Sequence, residues 1–408
     1  MIIYKNINEI LTLEAAQKKD GRNLLAEDIS ILQHGAIVFE EDEIVWVGDS
    51  ENIPVEYLKK AKTVKDLEGY VVTPELVDSH THLIFGGNRA NEYQMRLNGA
   101  DYEEIAKAGG GIVATSNGTN NTSDEQLLDS CRERIKRIAS YGVGTIEVKS
   151  GYSLSFEGEL RMTKLIAKLK EEFAPDIQIF NTFMPAHALP KSYDSTQKYM
   201  DEIVIPLLHE VAPLNIIDCV DIFHEQGYFD SEDVKKLALV AQEYGIPLKT
   251  HADEFNDNKG AILACELGAL STDHLLCTTE DGIKKLAASK TVATVLPGTG
   301  IFLGKPKADA KQLADGGCKL AIASDYNPGS CHCDNLLLLA SICAPMYKIN
   351  MTQMWAGITL NAAAAVGKYD QGAIIKRFKP RFSIFKTNTI SEITYNWGRN
   401  LAVDKNSI

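Results

Sequence analysis

The chain alternates, eight times in succession, a short apolar run rich in β-branched residues with a longer amphipathic stretch. Such runs predict buried β-strands, and the stretches between them predict helices. Eight β–α units predict an α/β fold, a (β/α)8 TIM barrel whose functional site forms at the C-terminal ends of the strands. A doubly wound sheet is the structural alternative, although it rarely needs eight units. The runs begin at Gly69, Gly142, Ile177, Ile216, Ile246, Leu267, Thr291 and Cys318.

Both ends of the chain read as short strands separated by turns, for example AIVFEEDEIVWVGD near the N-terminus and RFSIFKTNTISEITYNWG near the C-terminus. Neither end has enough apolar sequence for a core of its own. We therefore expect a small β-sandwich domain built from residues 1–70 and 369–408, around a barrel of residues 71–368.

Charge and composition exclude several classes of protein. The net charge of −13 argues against a nucleic-acid-binding surface. The N-terminus lacks a signal-peptide pattern, and no apolar run is long enough to span a bilayer. The eight cysteines have no framework spacing and are expected to be reduced. These features predict a cytoplasmic protein with no membrane or nucleic-acid partner.

Histidines and other polar residues collect where the eight runs end. Seven of the nine histidines lie at these ends or in the loop after the eighth run, and a random scatter would not segregate them in this way. The polar residues at the ends are His80, His82, Lys149, Tyr152, His187, His224, Glu225, His251, Glu254, His274, Asp325 and Asn327.

His80 and His82 are two residues apart, so both imidazoles can reach one ion from the same side of a strand. A chain of this composition would contain about 0.2 such pairs by chance, so the pair alone is only suggestive. His251 is the natural third ligand and Asp325 the fourth. Three imidazoles and one carboxylate suit a transition-metal ion with a position left for water. The alternative for Asp325 is a turn carboxylate before Asn-Pro-Gly.

Glu254 lies three residues beyond His251, an offset that suits a general base beside the ion. Asp253 is the alternative acid. His274 can polarise the scissile carbonyl or stabilise an oxyanion, or it can be a hydrogen-bonded core histidine.

Two further features have a structural and a metal-binding interpretation. Lys149 can be a structural or electrostatic lysine or, once carboxylated, a bridge between two metals. The segment Cys331-His332-Cys333 matches no closed zinc site and is interpreted as loop sequence.

Seven motifs of the chain resemble the amidohydrolase superfamily and, within it, the imidazolonepropionase family. They cover essentially the whole barrel, and HTHLIFGGNRANEY together with the triple glycine at 109–111 is specific to the narrower family. The motifs are VDSHTHLIFGGNRANEYQMRLNGADYEEIAKAGGGIVAT (77–115), EVKSGY (147–152), MPAHALP (184–190), HADEF (251–255), DHLL (273–276), LPG (296–298) and SDYNPGS (324–330).

The resemblance implies hydrolysis of the cyclic amide C–N bond of 4-imidazolone-5-propanoate to N-formimidoyl-L-glutamate, a step of histidine degradation. It implies one zinc or iron ion held by His80, His82, His251 and Asp325, and a homodimer. Catalytic roles fall to Glu254, His274 and Asp325. Substrate contacts fall to Arg89, Tyr102, Tyr152, His187, Glu254, Asn327, Gly329 and Ser330.

The substrate carries a carboxylate, which the guanidinium fork of Arg89 can bind through two hydrogen bonds. The alternative for Arg89 is a surface salt bridge. A metal-dependent deaminase of a purine or pyrimidine base would use the same ligands and base, but it gives Arg89 no carboxylate to bind. A metal-binding scaffold without activity is the remaining alternative, and Glu254 beside a full ligand set argues against it.

Overall fold

The computed structural model describes residues 1–100, 104–105, 108–304 and 307–407. Its strands, numbered along the chain, are β1 (Ile2–Leu11), β2 (Ile31–Phe39), β3 (Ile44–Asp49), β4 (Thr63–Asp66), β5 (Val71–Pro74), β6 (Leu76–Asp78), β7 (Val143–Lys149), β8 (Gln178–Phe183), β9 (Cys219–Val220), β10 (Phe223–His224), β11 (Lys249–Ala252), β12 (Ser271–His274), β13 (Val292–Val295), β14 (Leu320–Ile322) and β15 (Phe382–Phe385).

Helices connect most of these strands. The α-helices span Glu14–Lys18, Val55–Lys60, Ala90–Leu97, Ile112–Asn121, Asp124–Ser140, Phe156–Phe173, Thr196–Tyr199, Ile205–Val211, Ser231–Glu243, Gly260–Glu266, Glu280–Ala287, Pro297–Leu303, Ala310–Asp315, Leu336–Tyr347, Met351–Gly357, Leu360–Ala365 and Ile390–Tyr395. Short 3-10 helices cover Ala26–Ile29, Ser50–Asn52, Ala212–Leu214 and Lys405–Ser407, and Met200–Val204 is a π-helix.

The central strands form two parallel sheets, in the orders β6-β7-β8-β9 and β10-β11-β12-β13-β14. Single parallel bridges join the sheets at two seams, Val220 with Leu248 and Thr81 with Tyr326. The predicted α/β fold with parallel strands is therefore confirmed. Because the strands are parallel, their C-terminal ends face the same side and present their side chains together.

The helix Asp124–Ser140 illustrates how the sequence fixes these units. Ser123 and Gln126 cap its first turn reciprocally, a capping box. Leu127, Ile135 and Ile138 form part of its buried face, and burying each such side chain contributes roughly 1.5–3 kcal/mol. From the same helix the buried Arg134 donates to the carbonyls of Leu83 and Phe85, which follow the first histidine pair. The helix thus also fixes the backbone beside the site.

Strands from both termini form a separate six-stranded sheet in the order β15-β5-β1-β2-β3, with β4 paired to β1. The C-terminal β15 pairs antiparallel with β5, which extends to Pro74. One sheet thus takes strands from both ends of the chain, while the sandwich arrangement and the domain bounds remain predictions. Within the part of the chain that the structure describes, no helix combines the length and apolar character needed to cross a bilayer.

Candidate metal centre and active site

The buried imidazoles of His80, His82 and His251 converge at the C-terminal ends of the parallel strands. Their candidate ligand atoms all lie within 4.8 Å of one another, and they form the one such group of three or more found among the described residues. Asp325, just after β14, places its Oδ1 atom 3.7 Å from Nε2 of both His80 and His82. The structure therefore brings together the four residues that the sequence suggests as ligands.

Two buried carboxylates orient these imidazoles. Nδ1–H of His80 donates to Asp273 Oδ2 at 2.6 Å, and Nδ1–H of His251 donates to Asp221 Oδ1 at 3.2 Å. With the proton held on Nδ1, Nε2 is left as an electron-pair donor, the arrangement typical of metal-binding histidines. Nε2 of His80 is buried and has no hydrogen-bond partner among the residues that the structure describes.

Protonation of His80 and His82 is disfavoured. Burial, the charge of Lys149 and the neighbouring imidazoles lower the pKa of His80 well below its ordinary value. Burial and the neighbouring imidazoles of His187 and His251 do the same to the pKa of His82. Neutral imidazoles with inward-facing nitrogen atoms and a nearby carboxylate fit a metal ion.

A network of five fully buried charges, Glu147, Lys149, Asp221, Lys249 and Asp273, lies behind the histidines. Nζ of Lys149 lies 2.6 Å from Asp221 and 2.8 Å from Glu147. Nζ of Lys249 lies 3.0 Å from Glu147 and 3.5 Å from Asp273.

The network stabilises the charged forms of Lys149 and Asp221. Although burial favours the neutral amine, Asp221, Glu147 and Asp273 raise the pKa of Lys149. Lys149 and His251 hold the pKa of Asp221 below its ordinary value against the effect of burial. In this structure Lys149 is therefore an ion-paired lysine that holds the carboxylate behind His251.

Glu254 and Asp253 have different environments. The Asp253 carboxylate accepts hydrogen bonds from the amides of Gly260 and Ala261 and from the Thr278 hydroxyl, which ties it to the start of a helix. Glu254 instead lines the cavity beside the histidines, with Oε2 3.6 Å from Nδ1 of His274. Burial, Asp325 and Glu225 raise the pKa of Glu254 well above its ordinary value. Of the two candidate acids, Glu254 is the one that faces the cavity.

Backbone geometry at the strand ends is unusual. His274 has φ +84°, Leu275 +60°, Asp253 +53° and Asp325 +52°, all in the left-handed region that non-glycine residues rarely adopt. This geometry lets the chain turn sharply and aim these side chains. The His274 ring lies 5.1 Å from the His251 ring, and burial and the His251 charge lower the pKa of His274.

A cavity of about 200 Å³ opens over the histidines. It brings together almost all the predicted site residues of the described chain: His82, Arg89, Tyr152, His187, His251, Glu254, His274, Asp325, Asn327, Gly329 and Ser330. Tyr102, the remaining predicted substrate contact, lies outside the described residues. Arg96, Phe223, Tyr228 and Phe255 also line the cavity and were not predicted.

Arg89 lies in the cavity wall and forms an ion pair there. Its Nε and Nη2 atoms donate to the two Glu92 carboxylate oxygens at 2.9 and 2.7 Å. Its Nη1 atom lies against Gly329, only 1.8 Å from where a Cβ atom would stand. The salt bridge considered for Arg89 is thus present, but it is partly buried and lies within the candidate site.

His187 stacks on His82, with ring centroids 4.8 Å apart and planes inclined by 15°. Its Nδ1–H donates to the Gly151 carbonyl, and burial and the His251 charge lower the pKa of His187 to about 3. A neutral His187 therefore presents Nε2 as a hydrogen-bond acceptor. The Tyr152 ring lies 5.2 Å from His187, and burial and Asp325 raise the pKa of Tyr152, so its hydroxyl stays protonated.

The loop after β14 is shaped by Asn327. Its Oδ1 accepts from the amides of Gly329 and Ser330, both at 2.8 Å, and its Nδ2 donates to the Ser330 hydroxyl. Asn327 therefore holds the loop in shape.

Four contributors were not identified from the sequence. Asp221 and Asp273 stand at strand ends as the histidines do, and this position was the available signal. Glu92 is three residues after Arg89 on a helical pattern, a spacing that favours ion pairs. Thr299, whose hydroxyl donates to Asp325 Oδ2, had no comparable signal.

The Cys331-His332-Cys333 segment behaves as loop sequence among the described residues. His332 packs against Tyr326, and the segment contributes to no group of three possible metal ligands in that part of the chain.

Comparison with solved structures supports the fold. A triazine hydrolase variant has a TM-score of 0.73 at 14% identity, covering 98% of this chain and 92% of its own. An adenosine deaminase from Xanthomonas campestris with bound zinc has a TM-score of 0.72 at 13% identity, covering 99% and 90%. The chain therefore shares the fold of these two enzymes, and its three clustered histidines lie at the C-terminal ends of the parallel strands of that fold.

Sequence comparison gives the narrower assignment. No protein-family model matches the chain. The imidazolonepropionase of Bacillus cytotoxicus is 37% identical over 401 residues, covering 97% of this chain and 93% of its own length. That of Clostridium tetani is 35% identical over 402 residues, covering 98% and 95%. The chain belongs to the imidazolonepropionase family.

Proposed function

We propose that the protein hydrolyses the ring amide C–N bond of 4-imidazolone-5-propanoate to give N-formimidoyl-L-glutamate, a step of histidine degradation. One observation carries the proposal. A single cavity has the candidate ligands His82, His251 and Asp325 and the acid Glu254 in its wall together with Arg89, a cation suited to a carboxylate. A deaminase of a neutral base has no use for that cation.

His80, His82, His251 and Asp325 would hold one ion, zinc or iron. When bound, the ion supplies Lewis acidity that polarises the ring carbonyl and lowers the pKa of the attacking water.

Glu254 acts as the general base and takes a proton from the attacking water at its carboxylate. Its raised pKa suits a group that must then keep this proton until the ring nitrogen leaves. Asp325 assists in delivering the proton to that nitrogen. His274 stabilises the charge that develops on the carbonyl oxygen.

The remaining residues bind and orient the substrate. Arg89 binds the propionate carboxylate, and the hydroxyls of Tyr102, Tyr152 and Ser330 add hydrogen bonds. Asn327 and Gly329 shape the loop that closes this end, and neutral His187 accepts a hydrogen bond from the ring.

The proposal includes the finer architecture, a complete (β/α)8 barrel with a small β-sandwich domain. The two bridged seams between the parallel sheets support the barrel. A cytoplasmic homodimer remains the expected state of the protein.

The decisive experiment is turnover of freshly prepared 4-imidazolone-5-propanoate by metal-loaded protein, with N-formimidoyl-L-glutamate quantified as product. Zinc- and iron-loaded samples are compared after chelation, and adenine and cytosine are tested for ammonia release. Product from imidazolone propionate alone is expected. Ammonia from a base, with no turnover of imidazolone propionate, would replace the proposal with the deaminase.

A further inference from the structure

We propose that Glu92 and Gly329 are positioning residues that form a cradle for Arg89 and set the orientation in which its guanidinium meets the substrate carboxylate. The inference rests on the proposed function, because it concerns the carboxylate of that substrate. It assigns to each residue a role that acts through Arg89.

Glu92 holds one edge of the guanidinium. Its side chain is 9% exposed, and both its oxygens accept from Arg89, at Nε and Nη2. Oε1 also accepts from the amide of Gly111, another residue of the cavity wall, at 3.0 Å. Glu92 therefore ties Arg89 to both the helix Ala90–Leu97 and the glycine-rich turn.

Gly329 receives the other side of the guanidinium. A Cβ atom at this position would stand 1.8 Å from Nη1 and 2.5 Å from Cζ of Arg89, distances that real atoms cannot share. The φ angle of Gly329 is outside the left-handed region, so an alanine would meet no backbone strain there. The glycine is needed for the space that it leaves to Arg89.

The loop that carries Gly329 is itself fixed. Asn327 Oδ1 accepts from the Gly329 amide at 2.8 Å, and the Gly329 carbonyl accepts from Nη1 of Arg96 at 3.0 Å. A side chain added at 329 would therefore displace Arg89 more readily than the loop.

The cradle leaves Nη1 as the guanidinium nitrogen not engaged by Glu92. This changes how Arg89 is expected to bind the substrate carboxylate. Because Nε and Nη2 already form the two-bonded contact with Glu92, the substrate carboxylate meets Arg89 through Nη1 and not through that fork. Holding a long flexible side chain in place before binding lowers the entropy that binding must remove.

An orienting role and a purely electrostatic role for Glu92 predict opposite effects of its neutralisation on carboxylate binding. If Glu92 positions Arg89, neutralising it weakens carboxylate binding. If Glu92 only opposes the anion by its charge, neutralising it tightens that binding. The two roles are therefore distinguishable by the sign of one measured change.

The experiment measures binding to metal-loaded protein by calorimetry, with two inert probes: 3-(imidazol-4-yl)propanoate, which has the carboxylate, and 4-methylimidazole, which lacks it. Gly329→Ala should weaken binding of the first probe roughly 10- to 100-fold, the range expected when a charged hydrogen bond is lost, and leave the second within about twofold. Glu92→Gln should weaken the first probe roughly 3- to 30-fold by the same reasoning.

A double-mutant cycle tests whether Gly329 acts through Arg89. In an Arg89→Lys background the guanidinium is absent, so adding Gly329→Ala should change the affinity for the carboxylate probe by less than about twofold. An equal loss of affinity for the carboxylate probe in both backgrounds would overturn the cradle. So would weaker binding of both probes by Gly329→Ala, or tighter binding of the carboxylate probe by Glu92→Gln.

Failure of the cradle and failure of the proposed function give different results. Unchanged probe affinities in Gly329→Ala and Glu92→Gln, with normal turnover of imidazolone propionate by the unaltered protein, refute the cradle alone. An unaltered protein that neither turns over imidazolone propionate nor prefers the carboxylate probe refutes both.

Discussion

The two ends of the cavity are built differently. The candidate metal ligands stand at the ends of parallel strands and are fully or almost fully buried, and buried carboxylates from other strand ends contact His80 and His251. The carboxylate-binding end stands on the short helix Ala90–Leu97 and on the loop after β14, and Arg89 and Ser330 there are partly exposed. Under the proposed function, the sheet would hold the residues of the chemical step, whereas substrate selection would depend on connecting segments that can change without altering the sheet.

Strand pairing explains how the side chains at the metal end of the cavity are positioned. In the β11–β12 register, His251 stands opposite Asp273, and Ala252 stands opposite His274. The ladder thus places His251, a candidate ligand, beside Asp273, the carboxylate that accepts from His80. No comparable ladder places Arg89, which depends on side-chain contacts.

The largest expected effect is a loss of kcat, caused by a substitution at the metal end of the cavity. Glu254→Gln should lower kcat by about 10²- to 10⁴-fold, because the general base is lost while the shape is kept. Steady-state kinetics with metal analysis of the same samples would measure this. Asp253→Asn is the matched control, since Asp253 caps a helix and should change stability more than kcat. Full activity in Glu254→Gln would remove Glu254 from the mechanism.

The buried network should matter strongly for folding. Lys149→Met leaves Asp221 without its buried lysine partner and Glu147 with Lys249 alone, so the free energy of unfolding should fall by about 3–5 kcal/mol. Lys170→Met removes a more exposed ion pair with Asp218 and should cost under about 1 kcal/mol. Urea denaturation of both variants measures the difference, and equal losses would contradict the assignment of Lys149 to a buried network.

Asp273→Asn should weaken metal binding by about 10- to 100-fold, because His80 loses the carboxylate that fixes its proton on Nδ1. Competition with a chelator of known affinity measures the metal dissociation constant directly. Unchanged metal affinity would show that the His80–Asp273 contact does not support the site.

At the end of the cavity proposed to bind the substrate carboxylate, substitution of Arg89 is expected to have smaller effects, mainly on KM. Arg89→Lys should raise KM for imidazolone propionate by about 10-fold, because an ammonium cannot replace the guanidinium geometry. The value of kcat should change by less than about threefold, since the proposal gives Arg89 a contact with the propionate and none with the ring amide. A fall in kcat with KM unchanged would place Arg89 in the chemical step.

The smallest effect concerns pH. Because the pKa of Glu254 is raised in the folded protein, its contribution favours folding below the ordinary pKa of a glutamate and is lost as pH rises through the folded value. Metal-free Glu254→Gln should therefore match the unaltered protein in Tm near pH 4 and exceed it increasingly toward neutral pH. Thermal denaturation across this range measures the difference, and a constant offset in Tm would contradict the raised pKa.

The sequence predicted which strand-end residues lie close together. Periodicity located the runs, and parallel strands bring their ends together, so His80, His82, His251 and Asp325 could be grouped without a structure. It did not predict that Lys149 and Lys249 share Glu147, because the pairing of buried charges depends on which strands become neighbours in the fold. Nor did it predict that Glu92 engages Arg89, since the helical spacing allows that pair without requiring it.

Three of the four candidate ligands, His80, His82 and Asp325, lie at one of the seams between the two parallel sheets. Beside the Thr81–Tyr326 bridge, the Asp325 amide donates to the His80 carbonyl at 3.0 Å, and the His82 amide donates to the Tyr326 carbonyl at 2.8 Å. His80 and His82 follow β6, the first strand of the two parallel sheets, and Asp325 follows β14, the last. During folding, their contact therefore closes the longest chain segment within these two sheets. Metal binding is therefore expected to follow this late folding step, which brings together residues distant in sequence. Because a bound ion would be held by residues on both sides of the seam, it would slow the separation of the two sheets there.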